Sequence, residues 1–106
     1  MNFPLFQKRI DQDVVLALRW KLPESLEVDL QGAEEGGFVV SVKTLPGCFT
    51  QAENEKELFE MVNNAVLTYL QIPKEYQPYM PSFFPKNEEL RKAMQAQKGV
   101  LTLERA

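Results

Sequence analysis

Residues 36–70 read GGFVVSVKTLPGCFTQAENEKELFEMVNNAVLTYL, and the order of patterns inside this stretch decides the fold. Phe38, Val40 and Val42 alternate with Val39, Ser41 and Lys43, the period of two that sends successive side chains to opposite faces of a sheet. Leu45-Pro46-Gly47 breaks the run, because proline fixes φ and donates no hydrogen bond while glycine permits a sharp reversal. Cys48 to Gln51 then resumes as a short extended segment. From Asn54 the period becomes helical: Leu58, Val62, Ala65 or Val66, and Tyr69 or Leu70 recur on one face as far as about Gln71. Asn54 is placed to accept a bond from the first turn while Glu57 reaches back, an Asn form of the capping box. Glu55, Glu57 and Glu60 put negative charge at the positive end of the helix dipole, and Pro73 is the expected stop.

On the N-terminal side, Leu26, Val28 and Leu30 alternate with Glu27, Asp29 and Gln31, a second strand. The connection Gly32-Ala33-Glu34-Glu35-Gly36-Gly37 holds three glycines able to take positive φ, so the two strands are expected to form an antiparallel hairpin. Further back the pattern is double. Phe6, Ile10, Val14 and Ala17 or Leu18 fit a helix over about 3–18, while Val14, Leu16, Leu18, Trp20 and Leu22 also alternate as in a strand; the helix is preferred. Beyond the central helix, Pro73, Pro78, Pro81 and Pro85 are interleaved with Tyr76, Tyr79, Phe83 and Phe84, which predicts an extended segment packed across the domain. Asn87 is a candidate cap for a last short helix through Glu88, Glu89, Leu90 and Ala93 that ends near Gly99, and Val100 to Leu103 reads as a final strand.

A chain of 106 residues with 44% hydrophobic and 25% charged residues suits a single globular domain, with its core over about 26–72 and an extension over about 73–106. Twelve Lys+Arg against 15 Asp+Glu give a net charge of −3, which argues against a broad phosphate-binding surface. The absence of histidine removes the commonest general base and the commonest metal ligand together. One cysteine, Cys48, rules out an internal disulfide framework and suits a reducing compartment, so a cytoplasmic protein is expected. No apolar run approaches the 18 residues of a membrane span, and MNFPLFQKRIDQD lacks the features of a secretory leader.

The Gly36-Gly37 turn, the strand entering Leu45-Pro46-Gly47, the segment Cys48-Phe49-Thr50-Gln51 and the capped helix from Asn54 to Leu70 together resemble the HicB-like, UPF0150-type antitoxin family of type II toxin-antitoxin systems. The resemblance covers roughly Leu26 to Ile72. It implies an α+β fold, a partial ribonuclease-H-like β-β-β-α-β core in which an antiparallel sheet carries a helix on one face, here with N- and C-terminal helical extensions. It also implies a function. HicB-like proteins bind HicA, a small messenger-RNA-cleaving toxin, and neutralise it by covering its surface and active site. Many members add a C-terminal DNA-binding domain, but residues 73–106 show no two-helix pattern of adequate length, so operator binding is not expected.

The residues named for partner binding are Glu27, Asp29, Glu34 and Glu35, which could form a negative face toward a basic toxin, and Trp20, an aromatic of the kind that anchors interfaces. Each has a plain alternative: solvated charge for the acids, and core packing for Trp20 and for Tyr76, Tyr79, Phe83 and Phe84. Gly36, Gly37, Leu45, Pro46, Gly47, Asn54 and Glu57 are read as structural. Cys48, with no histidine to activate it, reads as a small packed residue. Asp29 on a strand and Glu60 on the helix are two carboxylates of the kind a two-metal nuclease uses, but the further aligned acids such a site needs are not evident. No catalytic residue, cofactor or metal is expected. A HicB-like module with some other protein or RNA partner is the main alternative, and an unpaired sheet edge makes a homodimer reasonable.

Overall fold

The computed structural model describes residues 9–85 and 87–106. The fold is α+β: helix α1 (Gln12–Lys21), strands β1 (Ser25–Gly32), β2 (Phe38–Val42) and β3 (Cys48–Ala52), helix α2 (Glu55–Tyr69), a 3-10 helix (Lys74–Tyr79), strand β4 (Phe83–Pro85), helix α3 (Asn87–Ala96) and strand β5 (Lys98–Arg105). The strands form one antiparallel sheet in the order β3-β2-β1-β5-β4.

Register places all the buried strand residues on one side. Val28 faces Val42, which faces Cys48; Leu26 faces Leu103, and Val28 faces Leu101 on the other flank. Against this side pack Leu58, Val62 and Val66 of α2, Leu90 and Ala93 of α3, and Val15 and Leu18 of α1, all in one hydrophobic cluster. The buried residues among those described are all apolar, so little desolvation cost offsets their burial. Among the described residues, no element covers the other side of the sheet.

Both expected turns form. Gly36 and Gly37 sit at φ 100° and 74° in the β1–β2 hairpin, and a Cβ on Gly37 would stand 2.9 Å from the Ala52 carbonyl oxygen. Leu45 to Cys48 is a type II turn, with Pro46 first and Gly47 second (φ 84°) at its centre and Cys48 N–H donating to the Leu45 carbonyl at 2.9 Å. Asn54 caps α2 as expected, its Oδ1 accepting from Glu57 N–H at 2.9 Å. The reciprocal bond expected from the Glu57 carboxylate does not form. Pro73 is also not what ends α2. Gln71 turns left-handed at φ 58°, Ile72 N–H donates to the Leu67 carbonyl and Gln71 N–H to that of Thr68, so a Schellman motif closes the helix two residues before the proline.

The flanking regions depart further from expectation. The first helix runs Gln12–Lys21 rather than about 3–18, capped by Asp11, which accepts from Asp13 N–H at 2.9 Å. It buries Val15, Leu18 and the following Leu22, not Val14 and Ala17. Phe6 and the first part of the expected helix lie outside the described residues, as does the capping role expected of the Asn87 side chain. The proline-aromatic segment is a 3-10 turn followed by a short strand rather than an extended strap. The core does not stop at residue 72: Met80, Phe83, Leu90, Ala93, Leu101 and Leu103 are all in it. Two strands, not one, follow α2, and β5 sits beside β1 inside the sheet. Residues 73–85 and 87–106 are therefore spent on the same fold, with α3 standing alone between two strands.

Candidate protein-binding interface

Alternation along β1 places Glu27, Asp29 and Gln31 on the uncovered face, because Leu26, Val28 and Leu30 between them point into the core. Register sets their neighbours. One row across the sheet reads Phe49, Ser41, Asp29, Val100; the next reads Gln51, Val39, Gln31, Lys98; and Glu27 lies opposite Thr102. Phe49 is 68% exposed, Val100 56% and Val39 39%. The face is therefore apolar at three points, one each on β3, β2 and β5, and acidic at two near its centre.

The residues named from sequence do not converge. Glu27 and Asp29 share the open face, whereas Glu34 and Glu35 lie in the hairpin loop at its end, beyond the last paired residues Gly32 and Phe38. Trp20 is on α1, 87% exposed, so its core reading fails. It lines a hollow of about 240 Å³ with Leu16, Arg19, Pro81, Arg105 and Ala106. There Arg19 donates from Nε and Nη2 to the Tyr79 carbonyl, and Arg105 Nη1 donates to the carbonyls of Arg19 and Leu22 at the end of α1. The other aromatics divide. Phe83 is in the core, Tyr76 is half-buried and accepts from Asp11 N–H through its hydroxyl, Tyr79 is exposed, and Phe84 is half exposed against Phe59 at a ring separation of 6.0 Å.

No chemistry assembles around the remaining candidates. Cys48 is buried, and desolvation raises its thiol pKa above the ordinary range, which suppresses the reactive thiolate. Asp29 points to the open face while Glu60 is exposed on α2, which packs on the other side, so the sheet separates the two carboxylates. Among the described residues, no group of three or more Asp, Glu or Cys side chains is placed to hold a metal ion.

Sequence reading missed Val39, Phe49 and Val100. The signal was present: Phe38-Val39-Val40 and Val100-Leu101 are apolar in both phases of the alternation, as in strands with something on each side. It also missed a groove of about 390 Å³ between β3 and the flank of α2, lined by Cys48, Phe49 and Thr50 on one wall and Met61, Ala65 and Thr68 on the other. Tyr69 closes one end, its hydroxyl donating to the Pro46 carbonyl at 2.8 Å.

Comparison with known proteins finds two relatives of the same description. A "UPF0150 protein" of Archaeoglobus fulgidus is 49% identical over 41 residues, which is 39% of this chain and 59% of that protein. A "UPF0150 protein" of Thermoplasma acidophilum is 38% identical over 48 residues, 45% of this chain and 70% of that protein. No family model matches the chain. No solved structure matches it.

Proposed function

The chain belongs to the UPF0150 family, and from that premise we propose that it is a cytoplasmic HicB-like antitoxin, which binds a HicA-type messenger-RNA-cleaving toxin and neutralises it by association, with no reaction of its own. The observation that carries the reading is the uncovered sheet face. Val39, Phe49 and Val100 supply apolar contact, and Glu27 and Asp29 among them supply negative charge. A toxin that grips RNA must present cations to phosphate, so an acidic face would attract it from a distance and occupy the surface that RNA needs. The Leu45-Pro46-Gly47 corner and the Asn54 cap, which carry the resemblance to the antitoxins, act here by setting β3 within that face and α2 behind it.

The test is co-expression with the adjacent small reading frame, affinity capture and a growth assay, using the native chain and a Val39→Lys, Val100→Lys double variant. A stoichiometric complex that relieves growth arrest is expected from the native chain and loss of both from the variant. A neighbour that is not toxic, or is toxic and unbound, defeats the antitoxin reading. A variant that still captures and neutralises the toxin moves the contact to another surface.

A further inference from the structure

We infer that the hollow between α1 and the end of β5 is a second docking site, which takes an acidic peptide segment of another protein. One bulky apolar side chain of that segment enters the hollow against Leu16, Trp20 and Pro81, and a carboxylate beside it meets Arg19 and Arg105. The apolar half of the site is built by the helix. While Val15 and Leu18 of α1 turn into the core, Leu16 and Trp20 stand four residues apart on its outer face, 56% and 87% exposed. The hollow measures about 240 Å³, below the range of about 300–1,000 Å³ in which small-molecule sites fall, so it suits one side chain better than a free ligand.

Charge selects the partner. Leu101 and Leu103 of β5 face the core, and the same alternation turns Arg105 toward α1 and Glu104 to the opposite face, with Glu27 and Asp29. At this end of β5 the sheet itself therefore separates the acid from the arginine. Both guanidinium groups are held by neutral acceptors. Arg19 Nε and Nη2 donate to the Tyr79 carbonyl at 3.3 and 3.2 Å, and Arg105 Nη1 donates to the carbonyls of Arg19 and Leu22 at 3.5 and 3.4 Å. A carbonyl fixes the direction of a guanidinium without cancelling its charge, and the described residues that line the hollow include no acid.

Two oriented cations beside an apolar hollow match one or two carboxylates on a peptide, the way arginine clusters read acidic motifs. A nucleic acid would bring a long run of phosphates to a chain of net charge −3, where most of them would go unmatched. Tryptophan and arginine are also the side chains that most often anchor protein interfaces. The site lies on the helix side of the sheet and is opposite in charge to the face proposed for the toxin, so the two surfaces call for different partners.

Trp20 is the chain's single tryptophan, so its emission reports on this hollow alone. The probe is an acetylated hexapeptide of acidic residues around a central leucine. Control probes carry alanine for the leucine or lysines for the acids, and a single-stranded hexanucleotide is titrated beside them. The emission maximum should be the same in the native chain as in urea, and should move to the blue when the acidic leucine peptide is added. Both control peptides should bind about tenfold more weakly or worse, and about 1 M salt, where the Debye length is about 3 Å, should weaken the acidic peptide. Leu16→Glu, at an exposed position and with an unchanged circular dichroism spectrum, should weaken it about tenfold or more, and Arg19→Gln should do the same. If Arg19→Gln disturbs the fold, Leu16→Glu decides. No shift with the acidic peptide at millimolar concentration overturns the inference, as does equal binding of the lysine peptide or tighter binding of the hexanucleotide. Native emission already to the blue of that in urea overturns it too, because a part of this chain or a second copy would then cover Trp20. None of these readouts involves a toxin or the open sheet face, so this site and the antitoxin reading fail separately.

Discussion

Phe83 and Phe84 are consecutive and chemically identical, yet one is 1% exposed beneath the helices and the other 51% exposed on the edge strand. Replacing each with alanine therefore measures whether the segment after α2 belongs to the core. Removal of a fully buried phenylalanine costs about 3–5 kcal/mol, lost transfer energy plus the cavity left behind, against a total stability of about 5–15 kcal/mol for a domain of this size. With an unfolding entropy of about 2.1 cal/mol/K per residue, or about 0.22 kcal/mol/K here, a loss of about 4 kcal/mol lowers Tm by about 18 °C. Phe84 has about half the burial and one tilted ring contact with Phe59, so Phe84→Ala should cost about 1.5 kcal/mol and about 7 °C. The assay is thermal and urea unfolding followed by far-ultraviolet circular dichroism. Trp20 fluorescence is a poor reporter because that side chain is already in water. Protein concentration must be held constant, since a paired species gains stability by mass action. Equal losses for the two variants, or a loss below about 1.5 kcal/mol at Phe83, would refute the placement of β4 in the core.

Other changes test single links. Val62→Ala, at a fully buried position on α2, should destabilise by about 1–2 kcal/mol in the same unfolding assay, and a neutral result would contradict the face assigned to that helix. Asn54→Ala should cost about 1 kcal/mol through loss of the bond to Glu57 N–H, whereas Glu57→Ala should leave the cap intact. Gln71→Gly should raise stability by about 0.5–1 kcal/mol because glycine adopts φ 58° without strain, and a loss would show that the Gln71 side chain matters more than its backbone. For Cys48 the folded thiol pKa is raised, so its contribution is fully present below the unfolded thiol's pKa and declines as pH rises through the alkaline range toward the folded value. Alkylation at pH 8 should accordingly be much slower in the folded chain than in urea, and equal rates would place Cys48 at the surface.

The central hairpin, the third strand and the long helix were legible in the sequence because each is written in local terms. A period of two becomes a period of 3.6 at Asn54, and the glycines at 36, 37 and 47 stand where the backbone takes positive φ. The termini were harder for a physical reason. In Val14 to Leu22 both periods are satisfied at once, and what selects the helix is Val15, Leu18 and Leu22 closing on the shared core. The end of α2 shows the same limit. Pro73 is a visible stop signal, yet a glutamine in the left-handed region had already ended the helix, held there by bonds to Leu67 and Thr68.

Sequence alone determined the strand-strand-strand-helix run, its turns, its cap, and that any chemistry must do without histidine. Only the tertiary structure decided that β5 inserts beside β1, that the core takes in Phe83 and Leu90, and that Glu27 and Asp29 lie apart from Glu34, Glu35 and Trp20. The same holds for the edge at β4, which Asn63 of α2 closes with two hydrogen bonds to the Phe83 backbone. The division follows from the range of the forces. Turn, cap and periodicity are set by residues a few positions apart, whereas the place of a strand and the burial of a side chain depend on partners up to 65–86 residues away, such as Tyr76 for Asp11 and Arg105 for Arg19.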